Sequence, residues 1–196
     1  MTGSDDELTR KWDRRHRNAE GPGEVAAVLA DNLHLLPAKG DALDLACGRG
    51  ANAIRLAQAG LRVTAWDLSA VAIERLNSTA RTQRVSITAG VRDVIARPPE
   101  PESFDLILVS YFLERSLAPA IMRALSPGGL LYYQTFSVNA VSDSGPSNPA
   151  FRLQDNELLA LFRPLKVRFY REEGRLGECR MGTRDIAMLV AEKPVA

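Results

Sequence analysis

Cysteine is almost missing from this chain: Cys47 and Cys179 are the only two in 196 residues. They lie far apart and show no metal-ligand spacing, which excludes a disulfide framework and a cysteine-rich metal site as the basis of the fold. Long hydrophobic runs are lacking as well. The longest, FDLILVSYFL at 104–113, is too short to span a bilayer as a helix. Neither charge sign dominates. A formal net charge of +1 gives bulk electrostatics no reason to favour nucleic acid or a membrane surface. The opening MTGSDDELTRKWD has no apolar signal core. The expected setting is therefore a reducing, cytoplasmic one with no membrane partner.

What remains is ordinary globular composition, 45% apolar and 25% charged. The length suits one domain, 1–196, able to bury a core without covalent staples. There is no internal repeat. EVAAVLADNLHLL (24–36) reads as an amphipathic helix stopped before Pro37, so 1–38 is expected to form a helical cap. ALDLA (42–46), RVTAW (62–66), RVSITAG (84–90), FDLILVS (104–110) and LLYYQTF (130–136) read as strands. Between them ANAIRLAQA (51–59, closed by Gly60), SAVAIERLNSTA (69–80, opened by Ser69) and LAPAIMRAL (117–125) read as helices. The turn Ser126–Gly129 follows the last of these. After a polar, patternless 137–153, expected to be a substrate loop or lid, come a helix NELLALF (156–162) and two strands, LKVRFYRE (165–172) and RDIAMLVAEK (184–193). The last two are close enough to pair as an antiparallel hairpin. The expected fold is α/β, a doubly wound, mostly parallel seven-stranded sheet with that hairpin at one edge. Such sheets bind ligands beyond the carboxyl ends of their strands.

DLACGRGANA (44–53) stands at the end of the first strand. Its Gly-x-Gly with a following Ala fits a relaxed dinucleotide fingerprint, in which a pyrophosphate approaches a helix N-terminus. Asp67, about 20 residues on, suits a ribose but does not discriminate, because every adenosine cofactor carries those hydroxyls. Asp44 does discriminate. A carboxylate inside a buried strand is costly unless paired. It repels a pyrophosphate and favours a cationic methionyl ammonium or sulfonium. The fingerprint also begins only after two helical segments, and the sheet ends in an antiparallel hairpin.

LDLACGRGANAIRLA, VTAWDLS, AGVRDV, FDLILVS and LSPGGLLYYQTF, in that order over 40–136, resemble the motif set of the class I S-adenosylmethionine-dependent methyltransferases. KWDRRHR, SYFLERSL, NPAFRLQDNELLALF and TRDIAMLVAEK look like the tellurite-resistance-type members, a group similar to thiopurine methyltransferases. The resemblance implies S-adenosyl-L-methionine as cofactor and a small-molecule acceptor, a thiol or a chalcogen oxyanion. It implies cofactor contacts from Ala46, Gly48, Gly50 and Asn52 around the glycine turn, Asp44 near the methionyl end, and Asp67 and Leu68 at the ribose. Asp93 and Val94 would meet the adenine, with Ser110 at the end of the fourth strand. Trp12 and Arg17 would line a lid. On the acceptor side it implies Tyr111, Glu114, Arg115 and Arg184, with Glu114 as the one candidate base and the two arginines as an anion clamp. The family often has His-Arg where this chain has Glu114-Arg115, so an imidazole role is not carried over.

Each residue also has a plainer reading. The glycines make a tight turn, Asp44 faces backbone amides, Asp67 complements a helix dipole, and Asp93 caps a turn. Trp12 and Tyr111 are packed aromatics, and Arg184 is an edge-strand charge. Cys47 fills space, His16 is exposed, and His34 packs on an apolar helix face. Arg10, Lys11, Arg14, Arg15 and Arg17 form a solvated helix face. The absence of an appended nucleic-acid domain makes RNA or DNA an unexpected partner, and monomer and homodimer stay open. A nicotinamide-dinucleotide oxidoreductase and a non-catalytic S-adenosylmethionine-binding regulator remain the alternatives.

Overall fold

A computed structural model describes residues 3–195. Its centre is a seven-stranded sheet of β1 (Asp41–Leu45), β2 (Arg62–Asp67), β3 (Ile87–Val91), β4 (Phe104–Ser110), β5 (Leu125–Phe136), β6 (Lys166–Arg171) and β7 (Ile186–Glu192). The order is β3-β2-β1-β4-β5-β7-β6. The first five strands run parallel, while β7 pairs antiparallel with both β5 and β6. The chain winds outward from β1 to β3, then returns to β4 on the other side of β1. That reversal opens a crevice at the carboxyl ends of β1 and β4.

The alternation of side chains sorts the strands into two cores. Leu43, Leu45, Ile107, Val109, Leu131 and Tyr133 face one side, under α5 (Ala118–Ala124) and α6 (Glu157–Leu161). Ala42, Leu106, Leu108, Tyr132, Met188 and Val190 face the other, under α2 (Ala27–Ala30) and α3 (Ala51–Gln58). On this second side the same period delivers Asp67, Asp44, Ser110 and Gln134 to the carboxyl edge, on four adjacent strands. The apolar rows thus end in a polar row where the crevice opens.

Two expectations are corrected. The helix expected over 24–36 shrinks to α2 and a 3-10 turn at Leu33–Leu35, and His34 is exposed rather than packed. Contacts from distant chain override the local period here. The Ala26 amide donates to Asn52 Oδ1 at 2.8 Å and the Val28 amide to Gln134 Oε1 at 2.8 Å. Tyr132 Oη donates to the Asn32 carbonyl at 3.0 Å. The turn expected at Ser126–Gly129 lies within β5, where Gly128 and Gly129 exchange backbone bonds with Lys193 at 2.9 Å.

The basic opening forms α1 (Gly3–Asn18), continued into the body by hydrogen bonds from α4 (Ala70–Gln83). Thr9, Trp12, Asp13 and His16 are its half-buried positions, at the three-to-four spacing of one helix face. The basic residues Arg10, Lys11, Arg14, Arg15 and Arg17 are on the exposed side.

Candidate active site

The glycine turn joins β1 to α3. Gly48 and Gly50 have φ of +52° and +87°. A Cβ built on Gly50 would stand 2.2 Å from Leu76 Cδ1, so only glycine lets α4 pack this close. Asp67, at the end of β2, holds the turn: its Oδ2 accepts from the Gly48 amide at 2.8 Å and its Oδ1 from the Ser69 amide at 2.9 Å. Burial pushes its pKa up, and these amides together with His16 work against that.

Asp44 lies beneath the turn and is fully buried. Neither carboxylate oxygen has a hydrogen-bond partner among the described residues. Burial pushes its pKa up to about 8, although the Ala53 amide faces it and favours the ion. An orphaned acid of this kind is expensive in an empty protein. It fits a ligand that brings a cation or N–H donors and does not fit a pyrophosphate. Cys47, in the same turn, is buried, and burial pushes its thiol well above its ordinary range, as suits a space-filler.

α1 crosses this turn. Trp12 stacks on His16, with ring centroids 6.0 Å apart, and Arg15 lies over the Trp12 ring. His16 Cε1 is 3.4 Å from where a Cβ on Gly48 would stand. His16 was expected on the surface; it is half-buried, and burial pushes its pKa down while Asp67 pulls it up. Its place on the Trp12 face of α1 was the signal available in sequence. Asp13 Oδ1 accepts from the Ser69 hydroxyl, and the Arg75 guanidinium donates to the carbonyls of Arg17 and Ala19. Arg17 therefore serves through its carbonyl, while its side chain is exposed.

The remaining cofactor-side residues fall along the same edge. Asn52 donates to Ser110 Oγ at 3.0 Å and ties α3 to the end of β4. Leu68 is half-buried in the loop after β2, and Val94 is in the core. Asp93 Oδ1 accepts from the Ile95 and Ala96 amides at 2.9 and 3.1 Å, capping its own turn. Ala46 and Tyr111, directly after β1 and β4, have φ of +56° and +55°. Non-glycine residues held left-handed cost on the order of 1–2 kcal/mol each and cluster at functional sites.

The acceptor-side arginines are not where the anion-clamp expectation puts them. Arg115 Nε and Nη2 hold Glu157 at 2.5 and 3.0 Å, while its Nη1 and Nη2 also reach the carbonyls of Ala150 and Arg152. Arg184 donates to the carbonyls of Met181, Gly174, Leu176 and Glu178 and is 13% exposed. Both guanidinium groups are committed to loop carbonyls, and Arg115 also to the Glu157 carboxylate. Glu114 caps the next turn, its Oε1 accepting from the amide and hydroxyl of Ser116. Tyr111 is half-exposed, packs on Phe136 at 5.0 Å between centroids, and donates its backbone N–H to the Gln134 carbonyl. The segment 137–153 is tied to its surroundings by hydrogen bonds. Asp185 accepts from the Val141 and Ser142 amides, and Arg152 donates to the carbonyls of Ser137, Ser144 and Pro146.

Residues 42–129 match the family model described as a methyltransferase domain. The matched stretch holds Asp44, the glycine turn and Asp67, so this part of the chain is similar to a methyltransferase domain. Among curated proteins, the chain is similar to the probable S-adenosyl-L-methionine-dependent methyltransferase TehB of Haemophilus influenzae, with 29% identity over 136 residues, 66% of this chain and 47% of that one. It is also similar to the tRNA 5-carboxymethoxyuridine methyltransferase of Escherichia coli, 32% identical over 151 residues, 69% of this chain and 57% of that one. The chain spans about half the length of the curated relatives it matches. The crystal structure of Haemophilus influenzae TehB superposes with a TM-score of 0.67 at 23% identity, covering 85% of this chain and 61% of that one. The [4+2]-cyclase SpnF superposes with a TM-score of 0.73 at 17% identity, covering 98% and 97%, so the fold alone does not name a reaction. Among the described residues no helix is long and apolar enough to cross a membrane.

Proposed function

We propose that this domain transfers a methyl group from S-adenosylmethionine to a small-molecule acceptor carrying a soft nucleophile, a thiol first of all. The observation that carries the cofactor half is Asp44: a buried, unpartnered carboxylate under a glycine turn that Asp67 braces. When bound, the cofactor supplies an electrophilic methyl on a sulfonium. Asp44 would hold its methionyl ammonium, Gly48 and Gly50 would allow its approach, Asp67 would take the ribose, and Asp93 the adenine amino group. Trp12 and His16 on α1 would shield it from water. The chain's contribution to the rate is alignment, which supplies about 7–11 kcal/mol in well-oriented reactions.

A thiolate needs no general base, and the local capping of Glu114 supplies none. The likeness to TehB brings a tellurium or selenium oxyanion into the reading. The commitment of Arg115 and Arg184 removes the cations expected to hold one, which ranks thiols above oxyanions. The test is release of S-adenosylhomocysteine from the purified chain with S-adenosylmethionine and, in parallel, alkyl and aryl thiols, selenite and tellurite. Turnover with thiols above the oxyanions is expected. Cofactor binding without turnover across the panel would convert the reading to a regulator. Salt-dependent binding of tRNA would move it towards the Escherichia coli relative.

A further inference from the structure

Gln134 ends the polar row on β5 and was not singled out by any motif. Its side chain is fully buried. The Val28 amide donates to its Oε1 at 2.8 Å, which fixes the orientation of the carboxamide. Its Nε2 is then left without a partner among the described residues. The Tyr111 phenol oxygen is the acceptor that faces it, yet no hydrogen bond of ordinary geometry forms, so this N–H₂ can take a ligand's lone pair in the phenol's place. Around it are the left-handed Tyr111, whose phenol faces the carboxamide, and Phe136, which packs on Tyr111. Both aromatics sit at the carboxyl ends of β4 and β5, beside the crevice.

The cation at this corner is balanced, and a carboxylate remains beside Tyr111. Glu24 acts on Tyr111, while Arg152 lies 5.7 Å over the Phe136 ring and is answered by Asp185. Recognition is left to one buried donor and two ring faces. We infer that Gln134 Nε2, with Tyr111 and Phe136, forms the acceptor-recognition subsite, selecting a neutral, planar organic molecule that presents a carbonyl oxygen or ring nitrogen to Gln134. This rests on the methyltransferase reading and narrows its acceptor from thiols in general to planar organic ones that also present such an oxygen or nitrogen and are otherwise uncharged.

Gln134→Met removes the carboxamide, donor and acceptor together, at nearly constant volume, whereas a buried Glu would hold a proton as Asp44 does and keep a donor. The protein is first titrated with S-adenosylhomocysteine and then, saturated with it, with acetophenone, ethylbenzene and selenite as probes, followed by ligand-observed NMR. Acetophenone should bind about ten-fold tighter than ethylbenzene, with no saturable selenite binding. Gln134→Met should erase that preference while leaving S-adenosylhomocysteine affinity near wild type; the lost Val28 brace shows separately as a lower melting temperature. Equal binding of acetophenone and ethylbenzene, or tighter binding of selenite, overturns the subsite. So does a Gln134→Met variant that loses S-adenosylhomocysteine as strongly as acetophenone, which would make Gln134 a cofactor contact. Failure of the wild type to bind S-adenosylhomocysteine at all would strike the methyltransferase reading instead.

Discussion

The two ends of the crevice are built differently. At β1 and β2, the glycine turn, Asp44 and Asp67 come from 24 consecutive residues, 44–67, and their polar atoms are tied by short-range bonds or left open. At β4 and β5, the polar atoms are joined to partners far along the chain: Val28 to Gln134 and Arg115 to Glu157. The first end keeps an unpaired carboxyl group whose proton burial holds in place. The second neutralises its conspicuous cations and keeps an unpaired neutral donor. On the proposed reading, a buried acid marks the cofactor half and a neutral donor marks the acceptor half.

The largest effect that would break this contrast is at Gly50. Gly50→Ala places a methyl against buried Leu76 in a left-handed backbone and should destabilise the protein by about 2–4 kcal/mol. Urea unfolding measures it, and a loss under 1 kcal/mol (about the noise of such a comparison) would show that the turn yields.

Next comes Asp44, whose folded pKa of about 8 lies above its ordinary 3.8. The folded state holds the proton longer than the unfolded one, so this group erodes stability as pH rises from 3.8 towards 8. Asp44→Asn should remove that slope, gaining on the order of a few kcal/mol at pH 8 and little near pH 4 in the ligand-free protein. It should also weaken S-adenosylhomocysteine binding about ten-fold or more. A variant both no more stable at high pH and unchanged in affinity would show that Asp44 has other partners.

Arg184→Ala sharpens the acceptor side. It should cost about 1–3 kcal/mol by releasing the 173–184 loop, seen as faster proteolysis there, with cofactor affinity unchanged. Arg184→Lys should rescue little, because one ammonium cannot reproduce the fork. Loss of turnover with full loop protection would restore the anion clamp.

The smallest effect is Asp13→Ala, which frees one tie between α1 and Ser69 and should cost about 0.5–1.5 kcal/mol. Hydrogen exchange in α1 should rise and cofactor affinity should fall a few-fold.

The same contrast explains what was legible in the sequence. The strand and helix order, the antiparallel hairpin and the glycine turn follow from local period and punctuation, because each is set by residues within a few positions of one another. Asp44 was readable as a buried acid because the residues on either side of it are apolar. His16 was missed because its partner, Gly48, lies across the fold. Gln134 was missed because nothing in LLYYQTF reveals that Val28 fixes its oxygen and leaves its nitrogen unpaired. Arg115 and Arg184 looked like clamps because sequence shows a cation and not the carbonyls around it. The broken helix at 24–36 failed for the same reason: Asn52 and Gln134 take its amides.

The most direct measurement is isothermal titration of the purified chain with S-adenosylhomocysteine, run beside NAD. Micromolar binding of the first and none of the second is predicted, because the acid beneath the glycine turn welcomes a cation and repels a pyrophosphate. Binding of NAD with no binding of S-adenosylhomocysteine would contradict the account at its centre, in the assignment of Asp44.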